Sequence, residues 1–496
     1  MMSMRCVIFG ATGYIGGRLV PELIQAGHQV RVVARTPEKL AEVPWREQVE
    51  IVRGDVTDAD RVRAAVAGQE VVYYLVHSLA RDDFSDIDRE AARLVADASN
   101  SAGVSRIVYL GGIIPEHATL SRHLASRAEV GEILRASGVP TAELRAAVII
   151  GSGSASFEML RYLSERLPAM ITPRWVHNRI QPIAVRDVLY YLVHAAALPA
   201  DVNRAFDIGG PDVMTYLTMM REYAVVAGLT RRVVLPVPVL TPWLSAQWVN
   251  LVTPVPRALA VPLIESLVHE VVCGEHDIAS YIPDPAEGLT HYARAVELAL
   301  TRIRHADVPT RWSDASTFGA PSDPLPTDPA WSGGSLYEDL REQHTDADPE
   351  TVWAVIEAIG GENGWYSFPL AWSLRGWIDR VSGGVGLRRG RKNPRRLHSG
   401  EALDWWRVEY IDRPHLLRLR AEMQLPGLAW LELGVEPDPD GGSRYRQRAI
   451  FQPRGLAGHL YWKAITPFHN AVFGGMVRNI TGTAEHAPAD GAVSSG

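Results

Sequence analysis

The string "VIFGATGYIGGRLV", residues 7–20, constrains this chain more than any other part of it. A short apolar run leads into Gly10, Gly13 and Gly16 and then into residues with helical spacing. Glycines at this spacing let the backbone come close to a pyrophosphate, whose charge the N-terminus of the following helix holds. Alone, the pattern is no more than a tight turn. After a strand, and opening a helix, it points to dinucleotide binding. Thr12, Tyr14 and Ile15 lie between the glycines and are assigned with them to the cofactor.

The context is that of a nucleotide-binding sheet. "RCVIFG", "QVRVVAR", "VEIVRGD", "EVVYYLVHS" and "SRIVYLGG" read as strands. "YIGGRLVPELIQAG", "DADRVRAAVAG" and "DREAARLVADASNSAG" lie between them with helical spacing, and "TAELRAAVIIG" continues as a further strand. Alternation of this kind predicts an α/β fold with a doubly wound parallel sheet.

At the end of the second strand an NAD site usually places an acidic residue on the ribose 2′-hydroxyl. This chain has Arg35, followed by Thr36. An arginine there pairs with a 2′-phosphate through charge-assisted hydrogen bonds, which favours NADP(H) over NAD(H); a solvated surface arginine gives the same sequence. After the third strand, "RGDVTD" supplies Asp55 and Val56. Asp55 is placed either to accept from the adenine amino group or to form a turn. His77 and Ser78, at the end of the fourth strand, fall where carboxyl-end loops line the cofactor crevice.

Taken together, "GATGYIGG", "RGDVTD", "SRIVYLGG", "LRAAVIIGSGS" and "QPIAVRDVLYYL" resemble the atypical, extended branch of the short-chain dehydrogenase/reductase superfamily. This is the NmrA-like group, which also includes the Rossmann-type accessory subunit of respiratory complex I. The resemblance covers roughly residues 4–305 and implies NAD(P)H binding. In active members a Ser near the end of the fifth strand and a Tyr-x-x-x-Lys pair polarise the substrate carbonyl. In this chain the fifth strand ends in Gly111 and Gly112, and the pair reads His123-x-x-x-Arg127. His123 is the expected proton donor, and Arg127, one turn on, the expected group for ribose or phosphate. The alternative is two polar residues on a cofactor-facing helix in a protein that binds nucleotide without reducing anything.

Residues 306–334 are dense in Pro, Ser, Asp and Gly without periodicity and predict a linker between domains 1–305 and 335–483; residues 484–496 predict a disordered tail. In the second domain, Leu417, Leu419, Ala421, Met423 and Leu425 alternate with Arg418, Arg420, Glu422 and Gln424, as in half-buried antiparallel strands. "SRYRQRAIFQP" repeats the pattern, and a long helix closes the domain. The order resembles the helix-grip fold of the START and polyketide-cyclase superfamily, an α+β fold that implies an apolar ligand cavity. Trp430, Tyr461, Trp462, Phe468 and Phe473 are placed either to line it or to form ordinary core. His459 and His469 have no metal-ligand pattern, so no metal site is assigned.

Composition narrows the partners. A net charge of -7 argues against nucleic acid. Cys6 and Cys273 make no disulfide framework, and Cys6 reads as a small buried hydrophobe. No apolar leader precedes the first strand, so a cytoplasmic protein is expected. Residues 233–256 carry no charge, yet Pro236, Pro238, Pro242, Pro254 and Pro256 break them, so a buried or interfacial element is expected rather than a membrane span. With that apolar segment, which extends to residue 273, the Arg- and Lys-rich residues 386–397 raise peripheral contact with anionic lipid as an alternative to a solvated loop.

The sequence thus predicts an NADP(H)-binding oxidoreductase fused to a domain that holds an apolar carbonyl, enone or quinone-type substrate. The alternatives are a non-catalytic NADPH sensor or assembly protein, and a peripheral lipid- or quinone-handling protein.

Overall fold

A computed structural model describes residues 3–77, 84–115, 120–237, 252–306, 325–329, 332–360, 365 and 396–486. The chain divides into two units, residues 1–334 and 335–496.

The first unit is built on a seven-stranded sheet. Its strands are β1 (Arg5–Phe9), β2 (Gln29–Ala34), β3 (Glu50–Arg53), β4 (Val71–Tyr74), β5 (Arg106–Gly112), β6 (Thr141–Ala146) and a last strand, Arg204–Ile208. They lie in the order β3-β2-β1-β4-β5-β6 and then Arg204–Ile208, and every pairing is parallel. Successive side chains of β1 point to opposite faces, so its near-continuous apolar run serves two cores. Cys6 and Ile8 pack with Leu19 and Leu23 of α1 (Tyr14–Gln25) and with Val188 and Leu192 of the Val185–Ala195 helix. Val7 and Phe9 pack with Val62 of α2 (Ala59–Val66), Val95 of α3 (Phe84–Ser101) and Leu134 of α4 (Arg122–Arg135). Cys6 is fully buried, and burial pushes its thiol up to about 12.

The sheet order reverses between β1 and β4, with β2 on one side and β5 on the other. In a sheet of this kind the crevice outside the carboxyl ends at that reversal takes the ligand. A second apolar cluster, with Phe157 and Leu160 of α5 (Ala155–Arg166), Met220 and Tyr223, forms a lobe beyond those ends.

Of the uncharged stretch 233–256, Val233–Val237 form a strand parallel to Ala169–Pro173, and residues 238–251 lie outside the described residues. Leu235 pairs with Ile171 across this ribbon, and the two side chains are 60% and 56% exposed. Among the described residues no helix is long and apolar enough to cross a membrane.

The second unit is a six-stranded antiparallel sheet in the order Tyr337–Thr345, Ser443–Pro453, Gly427–Pro437, Leu416–Ala421, Trp406–Asp412 and Ala402–Leu403. Asp348 caps the Pro349–Glu357 helix by accepting from the Glu350 and Thr351 amides. The long Gly455–Glu485 helix packs Phe473, Met476, Val477 and Ile480 against Leu417, Leu419, Leu431 and Leu433. The opposite face of the sheet departs from a simple solvated face. Arg418 points that way but is buried, because it pairs in register with Glu432 and donates to its carboxylate at 2.8 Å. Met423 lies past the end of its strand, which stops at Ala421.

Of the two places open to the aromatics of this unit, the packing favours core for several. Trp462 stacks on Tyr337 at 5.3 Å and on Phe451 at 5.6 Å, and Tyr461 also packs on Phe451, so these rings fill the helix–sheet contact. Trp430 alternates with Leu431 and faces away from the helix. The side chain of Phe468 and residues 386–395 of the basic stretch lie outside the described residues, as do 307–324 and 487–496.

Candidate active site

The glycine turn is shaped by close approach. Gly10 has φ +100°, and a Cβ there would lie 2.6 Å from the Leu75 carbonyl oxygen. A Cβ on Gly16 would lie 2.2 Å from the Gly10 carbonyl oxygen, so only glycine lets α1 sit this close to the end of β1. Gly13 is the exposed N-cap of α1 and makes no side-chain cap. The amides of Tyr14 and Ile15 in the first turn therefore have no acceptor within the helix, and they carry the positive end of its dipole. Thr12 is half-buried beside them. This is a fit for a pyrophosphate.

The ends of β2 and β3 carry the next groups. Arg35 is exposed and makes no side-chain ion pair or hydrogen bond among the described residues. Asp55 accepts from the Thr57 amide at 3.0 Å and from the Thr57 hydroxyl at 2.9 Å, the turn-forming option of the two open to it. Val56 packs, partly buried, on the core beneath.

The proton-handling side is assembled from three separate segments. His77 follows β4, Asp88 is on α3, and His123 is in the first turn of α4, where the Ser121 side chain caps the helix. Asp88 Oδ2 lies 3.0 Å from His77 Nδ1, and His77 Nε2 lies 3.0 Å from His123 Nδ1. A carboxylate only accepts, so His77 carries its proton on Nδ1 and accepts at Nε2. His123 must then carry its proton on Nδ1, which leaves Nε2 with the lone pair. Ser78 lies outside the described residues.

Any proton that His123 gives or takes is therefore exchanged by a neutral ring. Burial, the Arg127 guanidinium and His77 all disfavour its charged form and push it down to about 2. At neutral pH His123 is a neutral imidazole whose Nε2 accepts a proton. The same forces hold His77 below the ordinary histidine value, burial first, against the opposing pull of Asp88.

Arg127 lies one turn beyond His123. Its Nε is buried without a hydrogen-bond partner, and the side chain has no ion pair among the described residues. Its backbone carbonyl is held by the Tyr109 hydroxyl at 3.2 Å. A Cβ on Gly112 would meet Arg127 Cδ at 3.8 Å, so the glycine pair that replaces the expected Ser brings β5 under α4. A partly buried guanidinium without a partner among the described residues is a candidate group for binding an anion.

Four further residues border the turn without any local signal in the sequence. Arg18 pairs with Asp328, from the stretch expected to be linker, at 2.6 and 2.8 Å. The Arg18 guanidinium also lies 4.2 Å from the centre of the Tyr14 ring. Glu158 is fully buried and accepts from the amides of Gly153 at 3.0 Å and Gly333 at 3.2 Å. Residues 325–329 and 332–334 thus pack on the first unit between α1 and α5. Arg161 neighbours Glu158 at 3.6 Å. Among the described residues no cluster of His, Cys, Asp and Glu is placed to hold a metal ion.

Parts of the chain are similar to known proteins. Residues 10–149 match a family described as NAD(P)H-binding, and residues 331–476 match one described as a protein of unknown function (DUF2867). The ceramide reductase of Caulobacter vibrioides is 27% identical over 238 residues, covering 46% of this chain and 72% of that protein. Subunit 9 of the NADH dehydrogenase [ubiquinone] 1 alpha subcomplex of Mus musculus is 27% identical over 251 residues, 49% of this chain and 65% of the subunit. The 3 beta-hydroxysteroid dehydrogenase/Delta 5-->4-isomerase of Mycobacterium tuberculosis is 32% identical over 116 residues, 21% of this chain and 30% of the enzyme. The structure of Citrobacter sp. triphenylmethane reductase complexed with NADP(H) superposes with a TM-score of 0.48 at 20% identity, over 60% of this chain and 99% of that one.

Proposed function

We propose, from a first unit that is an NAD(P)H-binding Rossmann domain of the atypical short-chain dehydrogenase/reductase type, that the chain is an NADP(H)-dependent oxidoreductase acting on an apolar carbonyl or hydroxyl compound, with His123 as its proton-transfer group. The observation that carries this reading is the His77–His123 hydrogen bond at the end of β4, with Arg127, unpaired among the described residues, one turn on.

The nicotinamide, when bound, supplies or takes the hydride. The chain's own residues do the rest. Amides at the start of α1 hold the pyrophosphate, and the glycines let it approach. Arg35, with no acidic residue at the end of β2, holds a 2′-phosphate and sets the preference for NADP(H). Arg127 pairs with an anionic or hydroxyl group of the bound nucleotide. His123 Nε2 takes the hydroxyl proton when an alcohol is oxidised and returns it when a carbonyl is reduced.

An apolar substrate is supported by the names of two relatives, a ceramide reductase and a 3 beta-hydroxysteroid dehydrogenase. The sheet and long helix of the second unit support reading it as a helix-grip domain that binds such a compound. The test is to incubate the protein with NADPH and a panel of long-chain ketones, steroid ketones, enones and quinones. Oxidation of NADPH with at least one class is expected. Tight NADPH binding without turnover on any class contradicts the enzyme reading and leaves a sensing or assembly role.

A second reading rests on the exposed pair Ile171 and Leu235, which adjoins the uncharged stretch 238–251. It makes this edge a peripheral membrane contact. Flotation with anionic liposomes should lift the protein, and Leu235→Glu should reduce the bound fraction; no difference between the two contradicts it.

A further inference from the structure

Asp88, His77 and His123 are separated in sequence yet form one unbroken line of hydrogen bonds, 3.0 Å at each step, from a buried carboxylate to the ring beside Arg127. A pair of buried histidines needs only one bond between them to be satisfied. The third member makes the line directional, since a carboxylate at one end orders both tautomers and leaves the lone pair at the other end.

We propose that His77 and Asp88 are a proton relay serving His123, so that the hydroxyl proton of the substrate ends on Asp88. The proposal rests on the reading of His123 given above. The surroundings explain why a relay is needed. An imidazolium at His123 would sit in a buried site beside the Arg127 guanidinium and His77. A relay leaves no such charge. As the proton of the substrate's O–H bond passes to His123 Nε2, the Nδ1 proton of His123 passes to His77 Nε2. The Nδ1 proton of His77 passes in turn to Asp88. Each ring gains one proton and loses one, both end neutral with the proton on Nε2, and Asp88 ends as a carboxylic acid. The hydride partner of this proton is the nicotinamide already named, and carbonyl reduction runs the same line backwards. His77 and Asp88 touch neither substrate nor cofactor in this scheme, so they are positioning residues.

The test has two arms with separate readouts. In protein labelled with 15N-histidine, ring-nitrogen shifts assigned with His77→Gln and His123→Gln report the tautomers whether or not any substrate turns over. Both rings are expected neutral with the proton on Nδ1, and Asp88→Ala, which removes the acceptor, is expected to release both from that state while Asp88→Glu restores it. A proton on Nε2 of His123 in the wild-type protein, or no change in Asp88→Ala, overturns the proposal. Thermal melting and NADPH binding check that each variant is folded.

The second arm uses His77→Gln, whose amide oxygen still accepts from His123 Nδ1–H but cannot pass a proton on. With a substrate identified from the panel, the proton-coupled step is expected to slow by about 10²–10⁴-fold with NADPH affinity unchanged. An unaltered rate and solvent isotope effect overturn the relay even if the tautomers are as drawn. No turnover by the wild-type protein sinks the reading of His123 itself and the relay with it, which the first arm alone does not do.

Discussion

Asp328 and Arg18, 310 residues apart in the chain, form a two-point ion pair at 2.6 and 2.8 Å, with side chains 8% and 2% exposed. The pair fastens a segment from the far end of the first unit to α1, two turns or fewer from the glycine loop. Removing one member leaves the other charge buried and uncompensated, which typically costs about 3–5 kcal/mol. Asp328→Ala should therefore lower the urea midpoint sharply and raise amide exchange in residues 325–334. Replacing both, with Arg18→Leu and Asp328→Leu, should recover much of the loss, because no isolated charge remains. Equal destabilisation by the single and double changes would show that the contact acts through packing and not charge.

Gly16 and Gly13 should separate folding from cofactor binding. A Cβ on Gly16 would overlap the Gly10 carbonyl oxygen at 2.2 Å, whereas one on Gly13 would stand 3.2 Å from it at an exposed position. Gly16→Ala should cost about 1–3 kcal/mol of stability, as overpacking does, and abolish NADPH binding. Gly13→Ala should weaken NADPH at least tenfold with little change in melting temperature. Parallel losses in both variants would contradict these separate roles.

Arg35 decides the choice of nucleotide in this account. A charge-assisted hydrogen bond is worth about 1.5–3 kcal/mol, or roughly tenfold to a hundredfold in affinity. Arg35→Ala should weaken NADPH by that factor and leave NADH within about threefold, measured by nucleotide fluorescence. Equal affinity of the wild-type protein for NADPH and NADH removes the argument.

What the sequence makes legible follows from the range of the interactions. The strand–glycine–helix turn is local: Gly10, Gly13 and Gly16 and the strand before them lie within one short stretch, and the alternating elements repeat the same short-range patterns. The second unit's strands are legible for the same reason, since side chains two apart share a face. The proton line is not. Asp88 is 11 residues from His77, and His123 is 46, so only the packing of α3 and α4 beside β4 brings them together. The state of His123 is a product of that same packing, because burial and Arg127 lower it. Nothing local to Arg18 in α1 signals that Asp328 reaches it from a stretch whose composition signals only a linker. For Trp430 and Arg418, alternation tells which face a side chain takes but not what covers that face.

Acid should expose the buried histidines. The folded protein holds His123 at about 2, while an unfolded chain carries it at the ordinary 6.5. Below about pH 6.5 the unfolded state therefore binds a proton that the folded state refuses, and stability falls as pH falls. At about 1.4 kcal/mol per unit, the step from pH 7 to pH 5 costs roughly 2 kcal/mol through this one group. His77, also lowered, adds in the same direction. Comparing urea unfolding at the two pH values, His123→Gln should lose about 2 kcal/mol less than the wild-type protein. Identical losses would contradict the burial of a neutral imidazole.

By the reading proposed above, His123 exchanges the proton in a nucleotide-dependent redox reaction. Single-turnover measurement of nicotinamide absorbance tests it most directly, with NADPH-loaded wild-type protein and His123→Gln mixed with the best apolar ketone of the panel. Oxidation of NADPH by the wild-type protein is expected, with a rate at least about a hundredfold lower in the variant at unchanged NADPH affinity. Equal rates in the two proteins would contradict it.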